Sequence, residues 1–293
     1  MSSTDQEIYP CSAGGFEYLL CDGDGTAWIS RGDTAGSAVF SLPASVEVRG
    51  RTYRITTVGM SAFSGTASGL QRLVIPDSYE VVEDDAFYGL RGLRSVRCGR
   101  NLRVLDSWLS LSRSLWVHPE NLSLKVSADG RCLLSRDGSA LLSAVGDPSF
   151  LRVPEGVSHV GPYAISGRDR LRRLVLPGTL SRIGVGGISE CRSLEELRIP
   201  GETVSIGEEG LAGNASLRKV TLPASLESIG IMALAGDDSL ENLVIRGDRV
   251  LKTNGDLGLR RDCLLSVPRG MVPGYRAHPV WGWFVHIDAI CHV

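Results

Sequence analysis

Leucine returns in this chain every 23 residues. Leu171, Leu194, Leu217 and Leu240 keep that interval without drift, and Leu70 and Leu93 repeat the step nearer the start. A fixed period of this size describes one supersecondary unit that cannot bury its apolar side alone and must stack on its neighbours. Each unit reads L-x-x-L-x-[IVL]-P, then Leu or Val three or four residues on, then I-G or V-G. A small residue, a large apolar one and a glycine or polar turn complete it. In LEELRIP, residues 194–200, alternation puts Leu197 and Ile199 on one face and Glu196 and Arg198 on the other, as in a half-buried strand. Units stacked in register predict a parallel ladder with ~4.8 Å between strands. Pro43, Pro76, Pro154, Pro177, Pro200 and Pro223 stand where such strands must end, because proline lacks an N–H and disfavours helical geometry before it. Gly161, Gly184, Gly207 and Gly230 are read as bends of the return segment. Ala62-Phe63, Ala86-Phe87 and Ala233-Leu234 are read as plugs of the far side of the core.

The units LVIPDSYEVVEDDAFYGL and LPASLESIGIMALAG resemble the BspA-like leucine-rich repeats of bacteria, which run roughly L-x-x-I-x-I-P-x-x-V-x-x-I-G-x-x-A-F-x-G-C. The likeness involves about a dozen positions per unit and most of the chain. It implies a β-rich leucine-rich-repeat solenoid: a parallel strand ladder with short return strands or helical turns, capped at both ends. Residues 1–15 are then a flexible N-terminus and 16–38, with FEYLLCDGDGTAWISRGD, a cap hairpin. Residues 39–263 are the solenoid, with an irregular insertion at about 115–149 carrying D-G turns at Asp129-Gly130 and Asp137-Gly138. Residues 264–293 are a capping unit in which Tyr275, Trp283 and Phe284 cover the last coil. The unit beginning at Leu93 departs from the pattern, with Cys98-Gly99 for the apolar-proline pair and DSWLSLSRS at its end, and local irregularity rather than a domain boundary is expected there.

A 43% hydrophobic content over 293 residues can fill a core of one large or two ordinary domains. The formal net charge of −2 supplies no global attraction to nucleic acid, and no nucleic-acid partner is expected. No stretch reaches the ~20 apolar residues of a membrane-spanning helix, so no transmembrane segment is expected. MSSTDQEIYPCSAGG lacks the basic and apolar regions of a secretory signal. Seven cysteines, odd in number and without CxxC spacing, read as buried thiols, with a Cys11–Cys21 bridge as the alternative in an oxidising compartment.

Residues for catalysis are hard to assemble. His118, His159, His278, His286 and His292 form no metal-binding spacing, and Ser61 in GMSAF lacks the second glycine of a nucleophile elbow. GVGG at 184–187 falls on a repeat bend rather than between a strand and a helix. DGDG at 22–25 reads as a hairpin turn rather than a calcium loop, since Ala27 and Asp33 stand where such a loop needs Gly and Glu. The sequons at Asn121 and Asn214 fit surface turns. No catalytic residue, metal ligand or cofactor is assigned.

One pattern points outward. The exposed strand positions Arg72, Arg97, Arg152, Arg173, Arg198 and Lys219 form a basic column with Glu196 the principal acid among them. Acidic clusters (Glu83, Asp84, Asp85; Glu208, Glu209; Asp237, Asp238) fall in the return segments. Either the column is a solvated face, or it binds a protein ligand, which would then be anionic. The function expected is a non-enzymatic protein-recognition scaffold. The resemblance implies a cell-surface or secreted, adhesin-like protein that engages host or neighbouring-cell ligands. The absent signal and the odd cysteine count favour an intracellular, cytoplasmic interaction module instead. Glycan binding, with Trp108 and Trp116 as an aromatic patch, is a third reading. A capped stack can also pair edge to edge or face to face.

Overall fold

The computed structural model describes residues 8–66, 69–90, 92–105 and 107–290, which fold into two compact units, Met1–Arg136 and Asp137–Val293. The division falls inside the irregular insertion at 115–149, so the solenoid expected over 39–263 is shared between two bodies.

In the second unit the repeat builds a parallel sheet of seven strands in chain order: Phe150–Arg152, Arg173–Val175, Glu196–Arg198, Lys219–Leu222, Asn242–Ile245, Leu264–Val267 and His286–Ala289. The register stacks like on like, with Leu151 on Leu174, Leu197 on Val220, Leu243 on Leu265 and Leu265 on Ile287, all buried. A second ladder of two-residue return strands runs through His159–Val160, Arg182–Ile183, Ser205–Ile206 and Ser228–Ile229, and it stacks Val160, Ile183, Ile206 and Ile229 beneath the first. The prolines end the upper strands in a specific way. The carbonyls of Pro154, Pro177, Pro200 and Pro223 each accept a hydrogen bond from the amide three residues on, which closes a turn into the return segment.

The glycines do a different job from the one their sequence positions suggest. Gly161, Gly184, Gly207 and Gly230 do not have left-handed geometry; that falls two residues later, on Tyr163, Gly186, Glu209 and Met232, with φ between 52° and 56°. The glycines are needed because the preceding coil lies directly against them. A Cβ on Gly230 would stand 2.4 Å from Glu208 N and 2.5 Å from Gly207 C, and one on Gly207 2.8 Å from Gly184 C. Gly230→Ala is therefore expected to lower the stability of this unit by about 1–3 kcal/mol or more, as overpacking against backbone does. Gly201→Ala, with nothing within 4 Å, should stay within about 0.5 kcal/mol of the parent protein. Urea denaturation of the two variants checks the contrast.

Trp281, rather than Trp283, plugs the C-terminal end. Trp281 and Tyr275 are fully buried with ring centroids 5.5 Å apart, and the Trp281 indole donates to Leu251 O at 2.8 Å, while Trp283 is 53% exposed. The ladder also continues into the closing segment, since His286–Ala289 pairs with Leu264–Val267.

The first unit carries the parallel strands Val39–Ser41, Arg72–Ile75, Ser95–Cys98 and Ser114–Val117. The expected plugs are present: Phe63 and Phe87 stack with centroids 4.8 Å apart. Gly99 stands where other units have proline because its Cα faces Pro76 O, which a Cβ would approach to 2.5 Å. Of the flexible N-terminus expected over 1–15, residues 1–7 lie outside the described residues, and the rest is ordered. Ile8–Ala13 is a strand, antiparallel to Phe16–Cys21, which pairs in turn with Thr26–Arg31. Asp22, in the DGDG turn, anchors it by accepting from Tyr9 Oη at 2.9 Å, from Arg51 Nη1 at 2.9 Å and from the Tyr53 hydroxyl. The Tyr53 and Tyr9 phenols hold the Asp22 carboxyl below its ordinary range. The hairpin register sets Cys11 opposite Tyr18 and Cys21 opposite Ile8, so these cysteines do not face each other, and both are free thiols.

Candidate functional site

The six basic positions do not form one file. In the first unit Arg72 pairs with Ser95, and Arg97 lies between Val74 and Trp116 with its guanidinium 4.5 Å from the Trp116 ring. Trp116 in turn meets His118 edge to face; the side chain of Trp108 lies outside the described set. In the second unit the outward strand positions, exposed at the charged residues and half-buried at Val175, Thr221, Asn242 and Leu264, make two rows. One runs Phe150, Arg173, Glu196, Lys219, Asn242 and Leu264; in the other Arg152 pairs with Val175 and Arg198 with Thr221. Glu196 thus sits between Arg173 and Lys219, and neither row is uniformly basic.

A third row, missed above, completes the face. Arg172, Glu195, Arg218 and Glu241, all exposed, precede the strands and are linked coil to coil, with Arg218 N donating to Glu195 O and Glu241 N to Arg218 O. The face is therefore banded across the strands: Arg172-Arg173, then Glu195-Glu196, then Arg218-Lys219, then Glu241-Asn242. The signal was available in the sequence as RR, EE, RK and EN at 23-residue spacing. Opposite charges on adjacent strands relieve the repulsion that like neighbours would cause. Yet none of these seven charged side chains is within ion-pair distance of another charged group among the described residues, although cross-coil pairs such as Arg192–Asp169 and Arg249–Glu227 form elsewhere in the unit. Arg172, Arg173, Glu195, Glu196 and Arg198 line a shallow open depression together with Leu174, Val175 and Pro200. From Phe150 to Asn242 six cations on this face meet three carboxylates, so an excess of positive charge remains.

Beneath the surface, repeat-equivalent positions carry Arg168, Cys191, Asn214 and Asp237, all buried. Arg168 donates to Ser166 O at 2.8 Å and Ala144 O at 2.6 Å. Asn214 accepts from Cys191 N at 3.0 Å and donates to Ile188 O at 3.0 Å. Asp237 Oδ1 accepts from Asn214 N at 2.7 Å, while its Oδ2 has no partner; burial pushes this carboxyl up to about 8. Asp237 is thus not part of the surface acidic cluster. The two sequons are not surface turns either. Asn214 and Asn121 are fully buried, and the Asn121 amide is spent on Gly99 O and Leu102 O, at 3.0 and 2.9 Å.

The other chemical candidates have structural partners. His118 Nδ1 accepts from Glu120 N, His278 Nδ1 from Val280 N and Trp281 N, and His159 Nδ1 meets Ser158 Oγ at 2.7 Å. Burial pushes the Cys98 and Cys132 thiols up to about 12 and those of Cys191 and Cys263 to about 11, which makes them inert apolar fillers. Cys291 and His292 lie outside the described residues. No helix among the described residues is long and apolar enough to cross a membrane.

The family model for the BspA type leucine-rich repeat region matches six copies, over residues 51–111 and 148–253. No curated protein sequence matches the chain. Among solved structures, the pneumococcal vaccine antigen PcpA is similar over 97% of this chain and 99% of its own, at 14% identity and TM-score 0.53. A leucine-rich repeat protein from Bacteroides ovatus is similar over 96% of this chain and 77% of its own, at 17% identity and TM-score 0.53. One from Eubacterium ventriosum covers 87% of this chain and 82% of its own, at 15% identity and TM-score 0.53. At these identities the likeness is one of fold.

Proposed function

Since this chain belongs to the BspA type leucine-rich repeat family, we propose that it is a protein-recognition scaffold that binds rather than transforms its partner, through the banded strand face of its second unit. The observation that carries this reading is that Arg172, Arg173, Glu195, Glu196, Arg218, Lys219 and Glu241, all exposed, make no ion pair among the described residues. The ladder fixes the backbone positions of these residues, so a ligand has only their side chains to order, and that of Arg173 already lies 5.8 Å from the Phe150 ring. The positive excess favours a ligand that is acidic overall. Arg72 and Arg97 of the first unit, with Trp116 beside Arg97, extend the proposal to a second basic surface there.

The double reversal Arg173→Glu with Arg198→Glu tests it. Proteins retained by the immobilised parent chain should be lost, while the thermal midpoint stays nearly unchanged, because exposed charges contribute little to stability. Retention of the same proteins by the variant removes this face as the site.

For location, the resemblance favours the cell surface or the secreted fraction, with host or neighbouring-cell proteins as ligands. The burial of Cys98, Cys191 and Cys263 as thiols, not disulfides, favours the alternative, an intracellular interaction module. Brief protease treatment of intact producing cells separates the two. Loss of this chain beside a preserved cytoplasmic control supports the surface reading, and survival until lysis supports the intracellular one.

A further inference from the structure

The order of the charged bands carries information of its own. Along the ladder it runs dibasic, diacidic, dibasic, acidic, with one coil, ~4.8 Å, between bands. Turned about a two-fold axis that lies parallel to the strands, between the Glu196 and Lys219 strands, this order becomes its own complement. Resting on the reading of this face as a recognition surface, we infer that its partner is a second copy of the same chain, in a face-to-face symmetric dimer.

The two-fold sets Glu195 and Glu196 of one copy against Arg218 and Lys219 of the other. Arg172 then meets Glu241, and each such contact occurs twice, as symmetry requires. The flanking positions agree without being part of the charge pattern. The half-buried Val175 falls over Val244, which is itself only 8% exposed, and the 44% exposed Phe150 over the half-buried Leu264 of the second copy. Arg198 meets Thr221, so no two like charges face each other from Phe150 to Leu264. A two-fold along the ladder would instead set the Arg172-Arg173 band against itself and the Glu195-Glu196 band against itself, an arrangement that like-charge repulsion disfavours. The contact is made of exposed charges at its centre, so salt weakens it. The dimer and an acidic ligand would compete for one surface.

Sedimentation velocity on the whole chain tests this. In low salt the mass should rise from monomer to dimer with concentration, and about 1 M salt should return it to monomer by screening. Glu195→Arg with Glu196→Lys makes the central bands wholly basic, and Arg218→Glu with Lys219→Glu makes them wholly acidic. Each variant alone should stay monomeric, and an equimolar mixture of the two should recover the dimer, an outcome that repair of contacts within one ladder does not produce. A parent chain that is monomeric at every concentration in low salt overturns the inference, as does a dimer indifferent to salt and to both variants, or a mixture that stays monomeric. Loss of ligand retention in the Arg173→Glu, Arg198→Glu variant of a strictly monomeric chain would leave the recognition reading intact while removing the dimer.

Discussion

Replacing Asp237 by Asn is expected to stabilise the second unit increasingly as pH rises from 5 to 8. The carboxyl is 3% exposed, one oxygen has no partner, and burial raises it to about 8, from an ordinary value of 3.8. An unfolded chain releases this proton near pH 4 and the folded chain holds it until about 8. Between those values the folded state binds more protons, so its stability falls as pH rises, by about 1.4 kcal/mol per pH unit from this group. Below pH 4 both states are protonated and the penalty vanishes. Asp238 and Glu190 lie near enough to add to the raising, and the Asn214 amide works against it. Asn at 237 has no proton to lose, and it offers an NH₂ like that of Asn214, which donates to Ile188 O and Leu211 O one coil earlier. Denaturant melts of parent and variant at pH 4, 5, 6, 7 and 8 read the difference directly. A stability gap that does not grow with pH would show that Asp237 is ionised in the folded chain.

Leu197→Ala is expected to cost about 2–5 kcal/mol, the range for a buried leucine truncated in a packed core. Leu197 is 1% exposed in the third of the seven strands of the sheet and stacks on Val220. Because coils touch only their neighbours, a cavity here weakens the interfaces on both sides, and the halves of the sheet should unfold at separate midpoints rather than one. The adjacent, exposed Glu196→Ala should lie within about 0.5 kcal/mol of the parent protein, and differential scanning calorimetry distinguishes the two.

These residues show what a repeat makes legible. Leu197, Pro200 and their equivalents could be placed from one chain because alternation and a missing N–H are local and recur at a fixed interval. The glycines were located correctly for the wrong reason: a bend and a close approach both call for glycine, and only the backbone of the adjacent coil tells them apart. Asn214 and Asp237 read as surface residues when each is viewed in its own turn. Their alignment with Cys191 in the repeat was the available sign that both lie inside. Outside the periodic stretch that help is gone. WGW holds two tryptophans one residue apart, and the 3-10 turn at Trp281–Trp283 buries the first and exposes the second. Ile8–Ala13 carries Pro10 and Ser12, so its strand is fixed by pairing with Phe16–Cys21 and by the Asp22 anchor rather than by its own pattern. The charge column was drawn from one position per strand, and its banding emerged once the preceding position was placed beside it.

The bonds that join one coil to the next span a nearly constant stretch of chain: Thr203 to Leu180, Cys191 to Asn214, Asn214 to Asp237 and Arg170 to Asp147 are each separated by 23 residues, and Asn242 to Leu264 by 22. No strand of this sheet has to search the length of the polymer for its neighbour, as strands of a sandwich or barrel do, so the entropy of loop closure is met in equal small instalments. Folding of the second unit can begin at whichever coil closes first and advance from there in both directions. Deleting one whole coil would shorten that growth by a step, and the 22-residue steps from Asn242 to Leu264 and from Leu264 to His286 show that a turn can give up one residue while the strands keep their register.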